Sequence, residues 1–305
     1  MDRFRAAPVR VQVPATSANL GPGFDALGLA LSLYDEVTAR VVPDGLTVDV
    51  VGEGAADVAR DETHLLVRAM LRSFEVLGAD RPPGLAVECV NRIPHSRGLG
   101  SSAAAIVAGI LLARGLAVDS AGRLDDDAVL ALAGELEGHP DNVAPCLRGG
   151  LTVAWRDAGG ARAVRCELDP RVVPVAFVPP FTASTELARG LLPPTVPHRE
   201  AAFNAGRAAL LVAALAAAPD DLFAATEDRL HQHYRAAAMP QSAQLVARLR
   251  ADRLPAVISG AGPTVLVLAR GHVEAEAAAA RVPDGWSART FGVGEGARVL
   301  AETQT

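Results

Sequence analysis

The fold is decided by the stretch Ile93-Pro94-His95-Ser96-Arg97-Gly98-Leu99-Gly100-Ser101-Ser102-Ala103-Ala104-Ala105. It follows an apolar run at residues 85–90, which predicts a strand. It precedes a run of small residues, 102–113, which predicts a helix rich in alanine. The stretch therefore predicts a glycine-rich turn that leads from a strand into a helix.

The glycines and serines of this turn predict an anion site. Gly98 and Gly100 allow positive φ and let the backbone approach a ligand closely. Ser101 and Ser102 stand where an N-cap belongs, and the first amides of a helix have no partner within the helix. Those free N–H groups and the helix dipole together favour phosphate. An ordinary capped helix after a turn is the alternative that these residues leave open.

Composition excludes several classes of protein. All 29 basic residues are arginine, so the Gly-Lys-Ser/Thr loop of P-loop proteins and a Schiff-base lysine are excluded. The net charge of −6 argues against a nucleic-acid partner. Residues 1–13 lack the apolar centre of a signal peptide, and no apolar run reaches membrane-spanning length. We therefore expect a cytoplasmic protein without a membrane partner.

A second loop, at residues 14–28, follows the alternating strand pattern of residues 9–13. It reads Pro-Ala-Thr-Ser-Ala-Asn-Leu-Gly-Pro-Gly-Phe-Asp-Ala-Leu-Gly, and its glycines and prolines predict a sharply turned, stiff backbone. Asn19 and Asp25 project from it. These two side chains either close local Asx turns or bind a polar ligand.

A third stretch, residues 134–145, gathers carboxylate, imidazole and amide groups after a helix end. These groups are Glu135, Glu137, His139, Asp141 and Asn142. Their density makes a functional interpretation as favourable as a structural one. The acidic triplet at 125–127, just upstream, predicts a helix cap rather than a metal site.

These three stretches, in this order, resemble the homoserine kinases, a family in the superfamily named after galactokinase, homoserine kinase, mevalonate kinase and phosphomevalonate kinase. The string Pro-x-x-x-Gly-Leu-Gly-Ser-Ser-Ala-Ala is similar to the phosphate loop of the whole superfamily. The loop at 14–28 and the string Glu-Gly-His-Pro-Asp-Asn-Val-Ala-Pro at 137–145 resemble the homoserine kinases in particular. Residues 184–193 and the Tyr-Arg pair at 234–235 match two further family segments.

The resemblance implies an α+β fold with two domains. An N-terminal α/β ATP-binding kinase domain would take residues 1–158 and carry the glycine-rich phosphate loop, and a ferredoxin-like C-terminal domain would take residues 159–305. It implies transfer of the γ-phosphoryl group of ATP, with Mg²⁺, to the side-chain hydroxyl of L-homoserine in threonine biosynthesis. A sister kinase for another small alcohol such as mevalonate, or a non-catalytic ATP-binding sensor, is the alternative.

The resemblance also implies a role for each matching residue. ATP binding falls on Pro94, His95, Ser96, Arg97, Gly98, Leu99, Gly100, Ser101, Ser102, Ala103 and Ala104. Magnesium binding falls on Ser102 and Glu137, with Glu135 as the alternative carboxylate. Substrate binding falls on Asn19, Asp25, His139, Thr185, Arg189 and Arg235. The two arginines would clamp the substrate carboxylate and Asp25 would receive its ammonium group. Asn19, Asn142 and Asp141 are the candidate catalytic residues, and whether a general base exists is open.

The remaining patterns predict local structure. Strands at 31–42 and 46–51 are expected to form a hairpin through the Pro-Asp-Gly turn at 43–45. The alanine-rich helix at 199–217 predicts either a tight helix layer or the face of a homodimer. A final pair of strands is expected to end the C-terminal half.

Overall fold

The computed structural model describes residues 4–118 and 122–301, apart from the side chain of Thr185. The strands are β1 (Val9–Ala18), β2 (Leu27–Val42), β3 (Gly45–Gly52), β4 (Gly84–Asn91), β5 (Leu151–Asp157), β6 (Gly160–Cys166), β7 (Val172–Val178), β8 (Ala256–Ile258), β9 (Val265–Arg270), β10 (Ser287–Thr290) and β11 (Arg298–Leu300). The helices are α1 (Leu65–Val76), α2 (Ser101–Leu116), α3 (Asp126–Glu137), α4 (Pro140–Arg148), α5 (Thr185–Gly190), α6 (His198–Ala216), α7 (Leu222–Ala225), α8 (Gln232–Arg235), α9 (Pro240–Ala251) and α10 (Gly271–Ala279).

The larger sheet has seven strands and is organised around β2. Its main path runs β11-β1-β2-β4-β3, and β5 and β6 extend it from the other end of β2. Residues 36–42 of β2 pair with β4, whereas residues 27–29 pair with β5. Strand β2 therefore pairs with two neighbours along the same edge. Its first residues place the end of the loop at 19–26 directly beside β5.

The predicted hairpin between β2 and β3 is wrong. The Pro-Asp turn does connect them, but β4 lies between them, antiparallel to β2 and parallel to β3. Burial explains the order. Leu85, Ala86 and Val87 of β4 are buried, as suits a central strand, whereas Thr47 and Asp49 of β3 are exposed, as suits an edge.

Helices α1 to α4 form a layer on this sheet, with α2 at its centre. Helix α2 packs against β1, α1, α3 and α4. It is buried on nearly every side because its side chains are alanine, isoleucine, valine and leucine. The predicted cap of α3 is confirmed: the carboxylate of Asp125 accepts a hydrogen bond from the Ala128 N–H (2.9 Å).

The smaller sheet is antiparallel, in the order β10-β7-β9-β8, with helices between β7 and β8 and between β9 and β10. This is the strand order of a ferredoxin-like fold, so the predicted two-part α+β architecture is confirmed. Strand β7 is buried at every position. Val175 and Phe177 pack into the core of the smaller sheet, whereas Val172 and Ala176 join the core of the larger one. The two sheets therefore share apolar contacts.

No single boundary in the sequence separates the strands of the larger sheet from those of the smaller sheet. The expected division after residue 158 falls in the turn between β5 and β6, which are paired strands of the larger sheet. The expected final strand pair is wrong, because β10 joins β7 whereas β11 returns to β1 and pairs Arg10 with Leu300. The position of the domain boundary stays a prediction. No helix in residues 4–118 and 122–301 is long and apolar enough to span a membrane.

The close approach of β2 to α4 is testable at Gly28. A Cβ at this position would lie 2.0 Å from the carbonyl oxygen of Asp141, which is backbone and cannot turn aside. We expect Gly28→Ala to lower the free energy of unfolding by about 3 kcal/mol, measured by urea denaturation.

Gly206→Ala is the matched control. Gly206 lies inside α6, and apart from its chain neighbours and the adjacent backbone of its own helix, no described atom lies within 4 Å of the position that an alanine methyl group would take there. Since alanine is the better helix former, this variant should gain about 0.5–1 kcal/mol. Equal effects of the two substitutions would contradict the tight β2–α4 contact.

Candidate active site

A cavity of about 400 Å³ opens at the start of α2, between the two sheets. Loops from both halves of the chain form its wall. The lining residues are Asn19, Ser96, Gly98, Gly100, Ser101, Ser102, Glu137, His139, Asp141, Asn142, Ala183, Ser184, Arg189, Arg235, Gly260, Ala261 and Gly262. The structure therefore brings together the glycine turn, the cluster at 137–142 and both predicted arginines.

The start of α2 differs in one respect from the expectation. Gly100, not a serine, is the N-cap, and Ser101 and Ser102 are the first two residues of the helix. Gly100 has φ 73°, and a Cβ there would lie 1.9 Å from Oγ1 of Thr16. Glycine is required at this point because the turn is left-handed and packed against strand β1. Both serine hydroxyls are thereby left to face the cavity rather than cap the helix.

Strand β1 and the loop between β8 and β9 hold the glycine turn in place. The backbone N–H of Thr16 donates to the carbonyl of Leu99 (3.0 Å). The hydroxyl of Ser259 donates to the carbonyl of Gly98 (2.6 Å) and lies 2.8 Å from the hydroxyl of Ser17. Thr16, Ser17 and Ser259 are buried, and the sequence interpretation had assigned them no role. Their signal was the density of hydroxyl residues next to glycine turns.

The two candidate magnesium carboxylates lie in different surroundings. Glu137 accepts a hydrogen bond from the hydroxyl of Ser102 (2.6 Å). Burial raises the pKa of Glu137, although this hydrogen bond opposes the shift. Glu135 is exposed and pairs with Arg72 on the outer surface. Only Glu137 therefore shares the cavity with Ser102, and in residues 4–118 and 122–301 no group of three or more His, Cys, Asp or Glu could enclose a metal ion.

His139 and Asp141 form a hydrogen-bonded pair in the cavity wall. Nδ1 of His139 donates to Oδ1 of Asp141 (2.8 Å), and Asp141 is almost fully buried. Burial lowers the pKa of His139, but the bond to Asp141 and its charge outweigh burial, so the net pKa is raised. The neighbouring Asn142 accepts from the hydroxyl of Thr16 (2.8 Å). The buried carboxylate of Asp141 thus fixes the orientation of the His139 imidazole.

The two arginines of the cavity differ in their partners. Arg189 forms two hydrogen bonds to the carboxylate of Asp25, at 2.6 and 3.1 Å. Arg235 is 2% exposed, and its Nε has no hydrogen-bond partner among the described residues. Its guanidinium lies 5.1 Å from the ring centre of Phe24. Burial, and then the charge of Arg189, lower the pKa of Arg235.

Other predicted residues lie outside the cavity wall. Leu99 and Ala103 belong to the hydrophobic core, and Pro94 is buried. Arg97 donates to the backbone carbonyls of His95, Pro179 and Pro180, so it holds the turn against the segment after β7. The side chain of Thr185 lies outside the described residues.

A second cavity, of about 250 Å³, adjoins the first at the glycine turn. Ser96, Ser101 and Ser102 line both cavities. The second is mostly apolar, with walls that include Val13, Asp35, Val37, Val58, Ala59, Thr63, His64, Leu65, Leu66, Cys89, Asn91, His95, Ala104 and Ala105. His95 and Ala104, both predicted to bind ATP, lie here rather than in the first cavity.

Asp35 is a buried carboxylate of this second cavity that the sequence interpretation missed. Its Oδ1 accepts hydrogen bonds from the backbone N–H groups of Arg92 and Ile93, where β4 leads into the glycine turn. Burial raises the pKa of Asp35 to about 6 against the opposing effect of these bonds. The available signal was the alternation of β2, which places position 35 on the same inward face as Val37 and Ala39.

The raised pKa of Asp35 predicts a pH effect on stability. The ordinary pKa of 3.8 applies to the unfolded chain and about 6 to the folded one, so the folded state binds the proton more tightly. The free energy of unfolding should therefore fall by roughly 2–3 kcal/mol as the pH rises from about 4 to about 6. Asp35→Asn keeps the acceptor oxygen and removes the charge, so it should lose this fall and be the more stable protein at pH 7.5.

Urea denaturation at pH 4.5, 5.5 and 7.5 measures the difference between the two proteins. Asp49→Asn, on the exposed face of β3, controls for loss of one surface carboxylate. If the difference in the free energy of unfolding between wild type and Asp35→Asn is the same at all three pH values, the pKa of Asp35 is not raised.

Comparison with known proteins agrees with this geometry. Residues 64–150 match the model of the GHMP kinases N terminal domain, and residues 201–288 match that of the GHMP kinases C terminal. The chain is 59% identical to the homoserine kinase of Streptomyces avermitilis, over 97% of each chain. It is 49% identical to the homoserine kinase of Mycolicibacterium smegmatis, over 95% of this chain and 94% of that one.

Solved structures show the same fold. The crystal structure of homoserine kinase from Cytophaga hutchinsonii superposes with a TM-score of 0.80 at 25% identity, over 98% of this chain and 99% of that one. A putative homoserine kinase from Listeria monocytogenes gives a TM-score of 0.75 at 32% identity, over 97% and 100% of the two chains. The chain belongs to the GHMP kinase family, and within it to the homoserine kinases.

Proposed function

We propose that this enzyme transfers the γ-phosphoryl group of ATP to the side-chain hydroxyl of L-homoserine and forms O-phospho-L-homoserine for threonine biosynthesis. One observation carries the proposal: the glycine turn, to which we assign phosphate binding, and two arginines line the same cavity. An alcohol held by its carboxylate at one end of such a cavity presents its hydroxyl to a phosphate at the other. We place the reaction in the cytoplasm, where ATP and amino acids are available.

The adjoining cavities suit the two parts of ATP. The mostly apolar second cavity can accept the flat base, whose surface is itself largely apolar. The phosphates then lie at the first turn of α2, near the hydroxyls of Ser101 and Ser102. Free backbone N–H groups and the helix dipole stabilise their negative charge there.

Ser102 and Glu137 fit a magnesium ion. A hydroxyl and a partly buried carboxylate lie 2.6 Å apart beside the proposed phosphate site. Mg²⁺ in kinases uses one or two such protein oxygens, with water and phosphate oxygens as the other ligands. The ion, when bound, neutralises charge on the β- and γ-phosphates. A protein site with few ligands is therefore what this reaction requires.

The rest of the cavity suits a small amino acid. Arg235 offers a buried guanidinium without a carboxylate partner among the described residues, and Arg189 lies nearby. Arginine binds carboxylates well because its planar fork donates two parallel hydrogen bonds. Asp25 supplies the negative charge for an ammonium group. Asn19 is fixed by donating to the carbonyl of Gly260 (2.9 Å), and its Oδ1 accepts from the backbone N–H of Asp25.

The transfer itself depends on position and charge. The hydroxyl oxygen of homoserine forms a bond to the γ-phosphorus as the bond to the bridging oxygen of ADP breaks. We propose that the hydroxyl proton passes to Nε2 of His139, because Nδ1 of that ring donates to Asp141. Asp141 then orients the imidazole and stabilises its positive charge, while Asn142 contacts the hydroxyl group.

The substrate can be tested directly with the purified enzyme, ATP and Mg²⁺. ADP formation is measured with L-homoserine, L-serine and mevalonate, and the product is weighed by mass spectrometry. We expect kcat/KM for homoserine to exceed that for serine at least about tenfold, because serine is one methylene shorter and cannot reach both ends of the cavity. Turnover on mevalonate alone would reject homoserine as the substrate. Turnover on no alcohol would favour an ATP-binding sensor.

The magnesium carboxylate can be identified by two matched substitutions. Glu137→Gln should lower kcat by at least about 100-fold and raise the Mg²⁺ concentration needed for half-maximal rate, because a charged ligand is lost. Glu135→Gln makes the same chemical change two residues away on the exposed side of α3 and should stay within about twofold of wild type. The reverse result would transfer the role to Glu135.

A further inference from the structure

We infer that Asp35 makes the enzyme select adenine nucleotides over nucleotides of 6-oxopurines, because its carboxylate accepts a hydrogen bond from the amino group at position 6 of the base. Asp35 thereby determines which nucleotide binds and takes no part in holding the amino acid. The inference rests on the proposed function, since it requires the base of ATP in the second cavity. It adds to that function the atom that recognises the base.

Asp35 has one carboxylate oxygen in use and one to spare. Oδ1 accepts hydrogen bonds from the backbone N–H groups of Arg92 (2.5 Å) and Ile93 (2.9 Å). Oδ2 accepts none from the residues that the structure describes. The side chain is 5% exposed and lines the second cavity, so Oδ2 is the oxygen that a ligand in this cavity can use.

The charge of Asp35 is not balanced by an ion pair. The guanidinium of Arg92 acts on it from a distance, but donates instead to the carbonyl of Tyr34 and to the carboxylate of Glu36. Glu53 adds a further negative charge. A buried carboxylate in a mostly apolar wall is unfavourable unless hydrogen bonds stabilise it. A ligand that donates to Oδ2 supplies one such bond.

The chemistry of this oxygen distinguishes between purines. At pH 7.5 Asp35 is ionised, since its pKa is about 6, and an ionised carboxylate accepts hydrogen bonds but donates none. Adenine has an amino group at position 6, whereas guanine and hypoxanthine have a carbonyl oxygen there. A carboxylate attracts the amino group and repels the oxygen. The cavity therefore opposes 6-oxopurines by more than the loss of one hydrogen bond.

A second polar atom of the same cavity lacks a partner. His64 is 8% exposed, and its Nδ1 has no hydrogen-bond partner among the described residues. Burial, and then the charges of His95 and Arg60, lower the pKa of His64, so its ring is neutral at pH 7.5. A neutral imidazole can bind a ring nitrogen of a base. Unpartnered polar atoms on a mostly apolar wall are typical of a site that orients a flat ligand with a polar edge.

The substitution Asp35→Asn converts the acceptor into a donor. The amide oxygen of asparagine can accept from the backbone N–H groups of residues 92 and 93, whereas its NH₂ group cannot. The variant therefore turns its NH₂ group to the place of Oδ2. That group donates to a carbonyl oxygen at position 6 of a purine and opposes an amino group there.

The test measures the dissociation constants of ADP and inosine diphosphate by titration calorimetry at pH 7.5 with Mg²⁺. The two nucleotides share their ribose and phosphates and differ at position 6 of the base. We expect wild type to bind ADP at least about 30-fold more tightly than inosine diphosphate. In Asp35→Asn this ratio should fall at least about tenfold, because ADP binds more weakly and inosine diphosphate more tightly.

Asp49→Asn is the matched control, because it makes the same chemical change on the exposed face of β3. It should leave the ratio within about twofold of wild type. If the ratio in Asp35→Asn falls by less than about tenfold, even with weaker binding of both nucleotides, Asp35 only holds the backbone before the glycine turn and the inference is rejected. Equal binding of the two nucleotides by wild type also rejects it, and the proposed function stands in both cases. If wild type binds neither nucleotide, the proposed function fails, and the inference fails with it.

Discussion

The site depends on the close contact of the glycine turn with strand β1 and with the loop between β8 and β9. Gly98 and Gly100 let the backbone of the turn pass within hydrogen-bonding distance of both. Hydroxyl groups from Thr16 and Ser259 fill the remaining space. The turn is therefore held before any nucleotide arrives, and its N–H groups need little reorganisation to bind phosphate. The cluster at 137–142 and the two arginines lie around this turn in the cavity wall.

The absence of lysine from the chain suits the electrostatics of the cavity. Burial lowers the pKa of Arg235, yet a guanidinium starts so high that it remains charged. A lysine in the same surroundings would lose its proton far more readily. Arginine also lets Phe24 contribute, since its ring lies close to the guanidinium groups of both Arg189 and Arg235. The fork geometry and the permanent charge both suit the carboxylate site that we propose for these arginines.

Local patterns in the sequence predicted those features that depend on local interactions. The Asp125 cap and the glycine turn follow from capping and φ requirements, and the structure agrees with them. The wrong hairpin and the missed Asp35 both depend on β4, which arrives from 40 residues further along and pairs beside β2. The Asp25–Arg189 pair was not predicted either. Asp25 was expected to bind the ammonium group of the substrate and Arg189 its carboxylate, so neither was expected to bind the other. Which charged groups meet in the free protein depends on how the two sheets pack, and spacing within a motif carries no information about that.

The return of β11 to the larger sheet has a consequence for synthesis on the ribosome. Strand β1 is made long before its partner on one edge, because that edge pairs with residues 298–300. That edge presents free backbone groups while the intervening chain is being made, and such edges invite pairing with other chains. Exposed Arg10 and the charged Arg298 of its late partner reduce this risk, since charge on an open strand discourages association. The larger sheet is therefore complete only after residues 298–300 have been made.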